Sequence, residues 1–222
     1  MALSNGKEFV NNPLVYLSAR STKNVDGKRV DLSKPYFQVS RINSEGKIAE
    51  TEETATNVTG DLTRIEIKTR TSPKGESDHI VLFVADNDVK ETYYIDMTFR
   101  LATRALFNSL LALESPKGIS ISIYRSKKGF EAFGLWQNEK QVSWKHDLKD
   151  LPQAEVIKDK KGEVVKTDFS DVDSFFKNEL KDLSTRLFGA ERHSSAAEPA
   201  VPSTDNPVVK EPEVKKDEDI PF

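Results

Sequence analysis

Aromatic rings and cations alternate along several short segments of this chain. That pairing is what holding a single-stranded polynucleotide demands, because bases stack on flat side chains while positive charges meet the phosphates. Tyr16 and Arg20 share one face of the first such segment, and Tyr36 and Arg41 lie in the next. Arg64, Lys68 and Arg70 share a face opposite Ile65 and Ile67. Tyr124 leads into Arg125, Lys127 and Lys128, and Trp136, Trp144 and Lys145 follow. These residues are the candidate contacts for a strand. Phe37, Phe83, Tyr93, Tyr94 and Phe133 stay unassigned, since one face of each of their strands must be core.

Catalytic chemistry finds little support in the same residues. His79, His146 and His193 are far apart and show no His-x-x-x-His spacing for a metal. With no cysteine there is no thiol nucleophile, disulfide or thiolate zinc site. Asp86 and Asp88, with Asp96, are carboxylates of the kind a nuclease uses for magnesium, but Asp86-Asn87-Asp88 has the composition of a turn between strands. Ser115-Pro116-Lys117-Gly118 lacks the glycine spacing of a phosphate loop. The expectation is a binding protein without cofactor or metal rather than an enzyme.

Period-two runs of β-branched and aromatic residues predict strands at 13–20, 35–42, 62–69, 79–85 and 91–97. From Thr98 to Glu114 the period changes, with Phe99, Ala102, Leu106, Leu110 and Leu113 at steps of three and four, which predicts an amphipathic helix ending before Pro116. Residues 118–125 alternate again and 130–137 return, so Ser126-Lys127-Lys128-Gly129 is the basic tip of a hairpin; Gln141–Lys145 would extend it. Asn43 to Gly60 has no period and is acidic, and reads as a long mobile loop. A last helix should open with Ser170 as N-cap and Asp173 in the capping-box position. It should carry Val172, Phe176, Leu180, Leu183 and Leu187 on one stripe, for the barrel or for self-association, and stop at Gly189. Strands, a helix, then a strand hairpin is the order of a mainly β, OB-fold-like five-stranded barrel with a capping helix, at 1–150, followed by a C-terminal extension with its own helix at 151–189.

Net charge is −3, which by itself argues against a polyanionic partner. The average conceals a division. Residues 190–222 hold eight acids and four bases, so of 36 acids and 33 bases the first 189 residues keep 28 and 29. The body is thus +1 and the tail −4. That tail contains five of the ten prolines and one aromatic residue, too little apolar surface to offset the entropy of ordering, and is expected to be disordered. No apolar run approaches the roughly 20 residues of a membrane span, and the N-terminus lacks the basic and apolar regions of a secretion signal, so a cytoplasmic protein is expected.

The chain closes on Asp217-Glu218-Asp219-Ile220-Pro221-Phe222. Here it resembles the bacterial single-stranded DNA-binding proteins and some phage counterparts, which end in an acidic run and Ile-Pro-Phe. The resemblance covers this tip and the layout of barrel, Pro-rich linker and acidic end. It implies an OB-fold that coats and protects single strands during replication, recombination and repair. It also implies a tip that docks replication and recombination proteins, and, with a phage source, a host-cytoplasmic location. The chemistry is intelligible: a terminal Phe offers a ring and a carboxylate together, Pro221 stiffens the approach and the acids steer encounter. Lys215 and Lys216 dilute this acid run. A recombination or annealing factor is the alternative reading, and a metal-dependent nuclease a more distant one.

Overall fold

The structure is a computed structural model that describes residues 12–26, 28–73 and 75–189. The expected tail, with Asp217 to Phe222, lies outside the described residues, as does His193.

Alternating apolar residues build six strands in succession: β1 (Leu14–Val25), β2 (Lys28–Ile42), β3 (Ile48–Ala55), β4 (Asn57–Ser72), β5 (Gly75–Asp86) and β6 (Glu91–Thr98). Helix α1 (Leu101–Leu111) follows, then β7 (Ile119–Arg125), β8 (Glu131–Gln137) and the short β9 (Lys140–Gln141). A second hairpin, β10 (Glu155–Lys158) with β11 (Val164–Asp168), stands apart from the main sheet and leads into α2 (Ser170–Phe188). The chain is therefore mainly β with two helices.

The nine strands of the main sheet run in the order β3-β2-β1-β6-β5-β4-β7-β8-β9. Among the described residues only β1 and β6 pair in parallel. A closed five-stranded barrel is not what the hydrogen bonds form, because β3 extends the order at one edge and the β7–β8–β9 strands extend it at the other. The sheet nonetheless winds back on itself. Thr56 alone separates β3 from β4, so Ala55 pairs with Phe37 on β2 while Asn57 pairs with Ser122 on β7. At the far end of that continuous stretch β4 pairs with β5.

The acidic loop expected at 43–60 is the largest local correction. Residues 43–47 do form a tight turn, with Asn43 accepting from the amides of Glu45 and Lys47. Ile48–Ala55 is instead an edge strand, and Val58 is buried. Glu and Ala are poor strand formers, which hides β3 from a composition-based reading. The exposed Glu50, Glu52 and Glu53 also keep its free edge from recruiting another strand.

Inside the wound sheet, every second residue is buried: Val15 and Leu17, Phe37 and Val39, Ile80, Leu82 and Val84, Ile95 and Met97, then Ile119, Ile121 and Ile123. Phe37 of β2 meets Phe133 of β8 across this core, 6.2 Å between centroids. The helices fill the remaining side. Phe107 of α1 packs edge-on against Phe176 of α2 at 6.4 Å, and the α2 stripe Val172, Phe176, Leu180 and Leu183 joins the same core. Each such side chain contributes about 1.5–3 kcal/mol of burial. The stripe is therefore occupied within the chain.

Where β4 leaves β7 for β5, Gly60 is forced by contact: a Cβ there would sit 2.3 Å from the Ala85 carbonyl oxygen. Backbone, unlike a side-chain tip, cannot step aside. We expect Gly60→Ala to lower unfolding stability by about 3 kcal/mol, as overpacked sites do, read by urea denaturation.

The start of α2 also differs from expectation. Ser170 is the first helical residue, not the N-cap, and Phe169 precedes it. The carboxylate of Asp168 accepts from the Ser170 amide at 2.9 Å and from its hydroxyl at 2.5 Å. Asp173 is taken by Arg104 at 2.8 Å, and that guanidinium lies 4.2 Å above the Phe169 ring. The bonds from Ser170, with help from Lys166, hold the Asp168 carboxyl down at about 2. A depressed carboxylate stabilises the fold above its ordinary pKa near 3.9 and ceases to as pH falls through 2. Far-UV circular dichroism should show wild type losing α2 helicity as pH falls from about 4 through 2, and Asp168→Ala should flatten this segment of the profile.

Candidate nucleic-acid interface

Two outward faces of the sheet gather the aromatic and cationic residues singled out in the sequence. On the first, a row runs across four strands in register: Arg64 opposite Phe83, Phe83 opposite Tyr94, and Tyr94 opposite Tyr16. The Arg64 guanidinium covers Phe83 at 3.8 Å, Phe83 meets Tyr94 edge-on at 5.2 Å, and Tyr94 meets Tyr16 at 5.1 Å. Burial, with the Asp96 carboxylate second, raises the Tyr94 phenol. These rings cover one another. Phe83 is only 4% exposed.

The cations of that face are engaged as well. Arg64 and Lys68 share Glu66 at 2.9 and 3.1 Å. Arg70 pairs with Asp96 and donates to the Tyr94 hydroxyl at 3.0 Å. Arg20 pairs with Glu50 and stands opposite Tyr36. Such pairs cost a phosphate contact part of its gain, because the carboxylate must be displaced or repelled. On the same face His79 lies between Asp96, 2.5 Å from Nδ1, and Ser77, 3.1 Å from Nε2. This has the connectivity of a hydrolase triad, with Ser77 exposed and the His79 side chain 16% exposed.

The second face, on β7 and β8, has the opposite character. Tyr124 is 41% exposed and Trp136 39%. Gly134 lies between them: a Cβ there would be 3.0 Å from the Trp136 indole nitrogen and 3.4 Å from the Tyr124 ring. The missing side chain lets the indole lie across the strand toward Ser122, to whose hydroxyl it donates at 3.4 Å. A glycine inside an otherwise apolar strand is the sequence sign of such a close approach. Beside the rings run polar residues in register, Trp136 with Ser120 and Thr59, Gly134 with Ser122 and Asn57. No periodicity argument singles these out.

The hairpin tip beyond Tyr124 supplies charge. Lys127 and Lys128 are exposed, and no ion pair among the described residues engages them. Arg125 behaves differently. Its guanidinium donates to the carbonyls of Leu32 at 2.8 Å, Ser21 at 2.7 Å and Gly129 at 2.9 Å, and lies 3.4 Å from Asp31. This bolts the hairpin to the distal halves of β1 and β2. Lys23, Lys28 and Lys34, also exposed and outside every ion pair among the described residues, are thereby brought to the same end as Lys127 and Lys128.

The remaining candidates lie apart from both faces. Arg41 lines a cleft of about 300 Å³ with Val15, Val39, Val58 and Tyr93. Glu91 at 2.5 Å and Glu53 at 3.0 Å hold its charge firmly in place. Burial there pushes the Tyr93 phenol up. Trp144 is exposed, but neighbouring Lys145 is bound to Glu179 of α2 at 2.7 Å, which lowers that carboxyl, with His146 at 3.3 Å on the same oxygen. Arg104 pairs with Asp173, and Arg100 lies 3.7 Å from Glu131.

Among the described residues, no helix is long and apolar enough to cross a membrane. A scan against family models, a search of curated proteins and a search of solved structures each returned no match to this chain.

Proposed function

We propose that this protein binds single-stranded DNA, largely without regard to sequence, across the outer face of β7 and β8, and that Asp217–Phe222 recruits proteins of replication and recombination. The observation that carries the reading is the pair of open rings, Tyr124 and Trp136, lying either side of Gly134 and leading to a tip with uncompensated Lys127 and Lys128. Exposed rings offer stacking to any base, and uncompensated lysines exchange bound counterions for phosphates. The wound sheet supports an OB-like reading of the fold, since the nearly continuous stretch of β3 and β4 pairs with β2 at one end and with β5 at the other. Its acidic tail lies outside the described residues, and the recruitment role rests on the Ile-Pro-Phe sequence.

The test is a fluorescence titration of the whole chain with oligo-dT across salt concentrations, against duplex of equal length. Quenching with a steep salt slope and a preference for the single strand is the expected result. Binding that is absent even at low salt rejects the strand-binding role. Recruitment is tested separately, by pulling down host replication proteins with wild type and with Phe222→Ala. Identical captures would reject the role given to the tip.

A further inference from the structure

Three side chains beside the aromatic shelf form a closed ring of hydrogen bonds. Asn57 Nδ2 donates to the Thr59 hydroxyl at 3.2 Å, Thr59 to the Ser120 hydroxyl at 3.3 Å, and Ser120 back to Asn57 Oδ1 at 2.7 Å. The ring has two consequences. First, it holds the plane of the amide in place, with nitrogen toward Thr59 and oxygen toward Ser120. Second, it leaves one N–H and one lone pair of that amide unused, since each end has capacity for two bonds and spends one. Asn57 and Thr59 are exposed, so both remain open to a ligand.

Their place on the sheet decides what that ligand is. Ser120 and Thr59 lie one and two strands from Trp136 in the same row, and adjacent strands are about 4.8 Å apart. A planar ring stacked on the indole therefore reaches with its edge over β7 and β4, where the amide waits. We propose that Asn57, held by Thr59 and Ser120, is a base-edge subsite that hydrogen-bonds a nucleobase stacked on Trp136. The unused lone pair of Oδ1 can accept from the N3–H of thymine, the unused N–H can donate to a base carbonyl or ring nitrogen, and every base offers an edge group for one or the other. The subsite thus tolerates any sequence yet requires a base whose edge is intact. This rests on the strand-binding role proposed above and adds a demand that stacking and phosphate contacts do not make.

The experiment compares oligo-dT with the same oligonucleotide built from N3-methylthymine, which keeps the ring and the phosphates but removes the donor. The whole chain should bind the methylated strand about two- to tenfold more weakly, the loss expected of a single hydrogen bond. Asn57→Ala should bind both strands alike, at the level wild type shows for the methylated one. Ser120→Ala, which frees the amide to rotate, should retain part of the difference and guards against a fold defect in the first variant. Equal binding of the two strands by wild type, with Trp136 still quenched, would overturn the subsite and leave the strand-binding role standing. Discrimination that persists in Asn57→Ala would overturn it as well. Failure to bind unmodified oligo-dT would reject both.

Discussion

Replacing Trp136 by alanine is expected to weaken binding of single-stranded oligo-dT by about 5- to 150-fold, the equivalent of the 1–3 kcal/mol that one stacked base contributes. Trp136 is 39% exposed, and its indole nitrogen lies close over Gly134, so the ring is accessible for stacking. Tyr124, on the other side of Gly134, should behave in the same way, and the double variant should lose about a hundredfold or more. Two controls give the effect its meaning. Trp144→Ala should leave affinity within about twofold, although Trp144 is the more exposed at 48%, because its neighbour Lys145 is tied to Glu179 instead of standing free for a phosphate. Tyr16→Ala should reduce stability more than affinity, since that ring is packed against Tyr94. Gly134→Ala brings a methyl to 2.9 Å from the Ser122 hydroxyl and 3.0 Å from the indole nitrogen, neither of them backbone, so it should turn the hydroxyl and tilt Trp136 without moving the strand. Weaker binding by a well-folded Gly134→Ala, read in the same fluorescence titration, would tie affinity to the lie of the indole itself. Unchanged affinity in both Trp136→Ala and Tyr124→Ala would mean that the strand passes elsewhere.

Arg125→Ala and the pair Lys127→Ala with Lys128→Ala are expected to separate stability from binding at adjacent positions. The Arg125 guanidinium makes three hydrogen bonds to carbonyls of three different segments and has a fourth neighbour in Asp31. Hydrogen bonds to a charged group contribute about 1.5–3 kcal/mol each, and losing this donor leaves the Leu32 and Ser21 carbonyls without it. A loss of about 3 kcal/mol in urea denaturation is the expected result, and Arg125→Lys should not rescue it, because an ammonium cannot reach all three carbonyls from one position. The lysine pair should leave stability within about 0.5 kcal/mol. It should flatten the slope of log affinity against log salt by about 1.4, one released counterion contribution of about 0.7 for each contact to a single strand. If the lysine pair left the salt slope unchanged, the hairpin tip would not contact the backbone of the strand.

Which residues could carry this chemistry is legible in the sequence wherever a property belongs to a short stretch. The alternation in Ile119–Arg125 and Glu131–Gln137 marks two strands, and Ser126 to Gly129 marks the basic turn between them, all as the structure has them. The step of three and four through Leu106 and Leu110 marks α1, and Gly189 ends α2 with a positive φ of 72°. Period-two burial is a local consequence of the pleat, so it survives whatever the strands later pair with.

Charge partners are not local. Arg64, Lys68 and Arg70 look as available in the sequence as Lys127 and Lys128, but pairing β4 with β5 and β6 sets them among Glu66, Asp96 and Tyr94. Arg125 looks like a phosphate ligand and becomes a strut, because winding the sheet brings carbonyls from residues 21 and 32 to it. Likewise Asn57 and Ser120, 63 positions apart, become neighbours only through the β4–β7 ladder. Strand β3 was hidden for a related reason: its glutamates disfavour a strand by composition, and it is pairing with β2 that holds it extended.

The sequence by itself determined the inventory: most of the strands and both long helices, which rings and cations exist, and that acidic residues concentrate in the last 33 positions. Only the tertiary structure decided which of those rings remain uncovered and which of those cations remain uncompensated. Exposure and charge neutralisation are properties of neighbours, and in a wound sheet the neighbours of a residue come from strands that lie far along the chain.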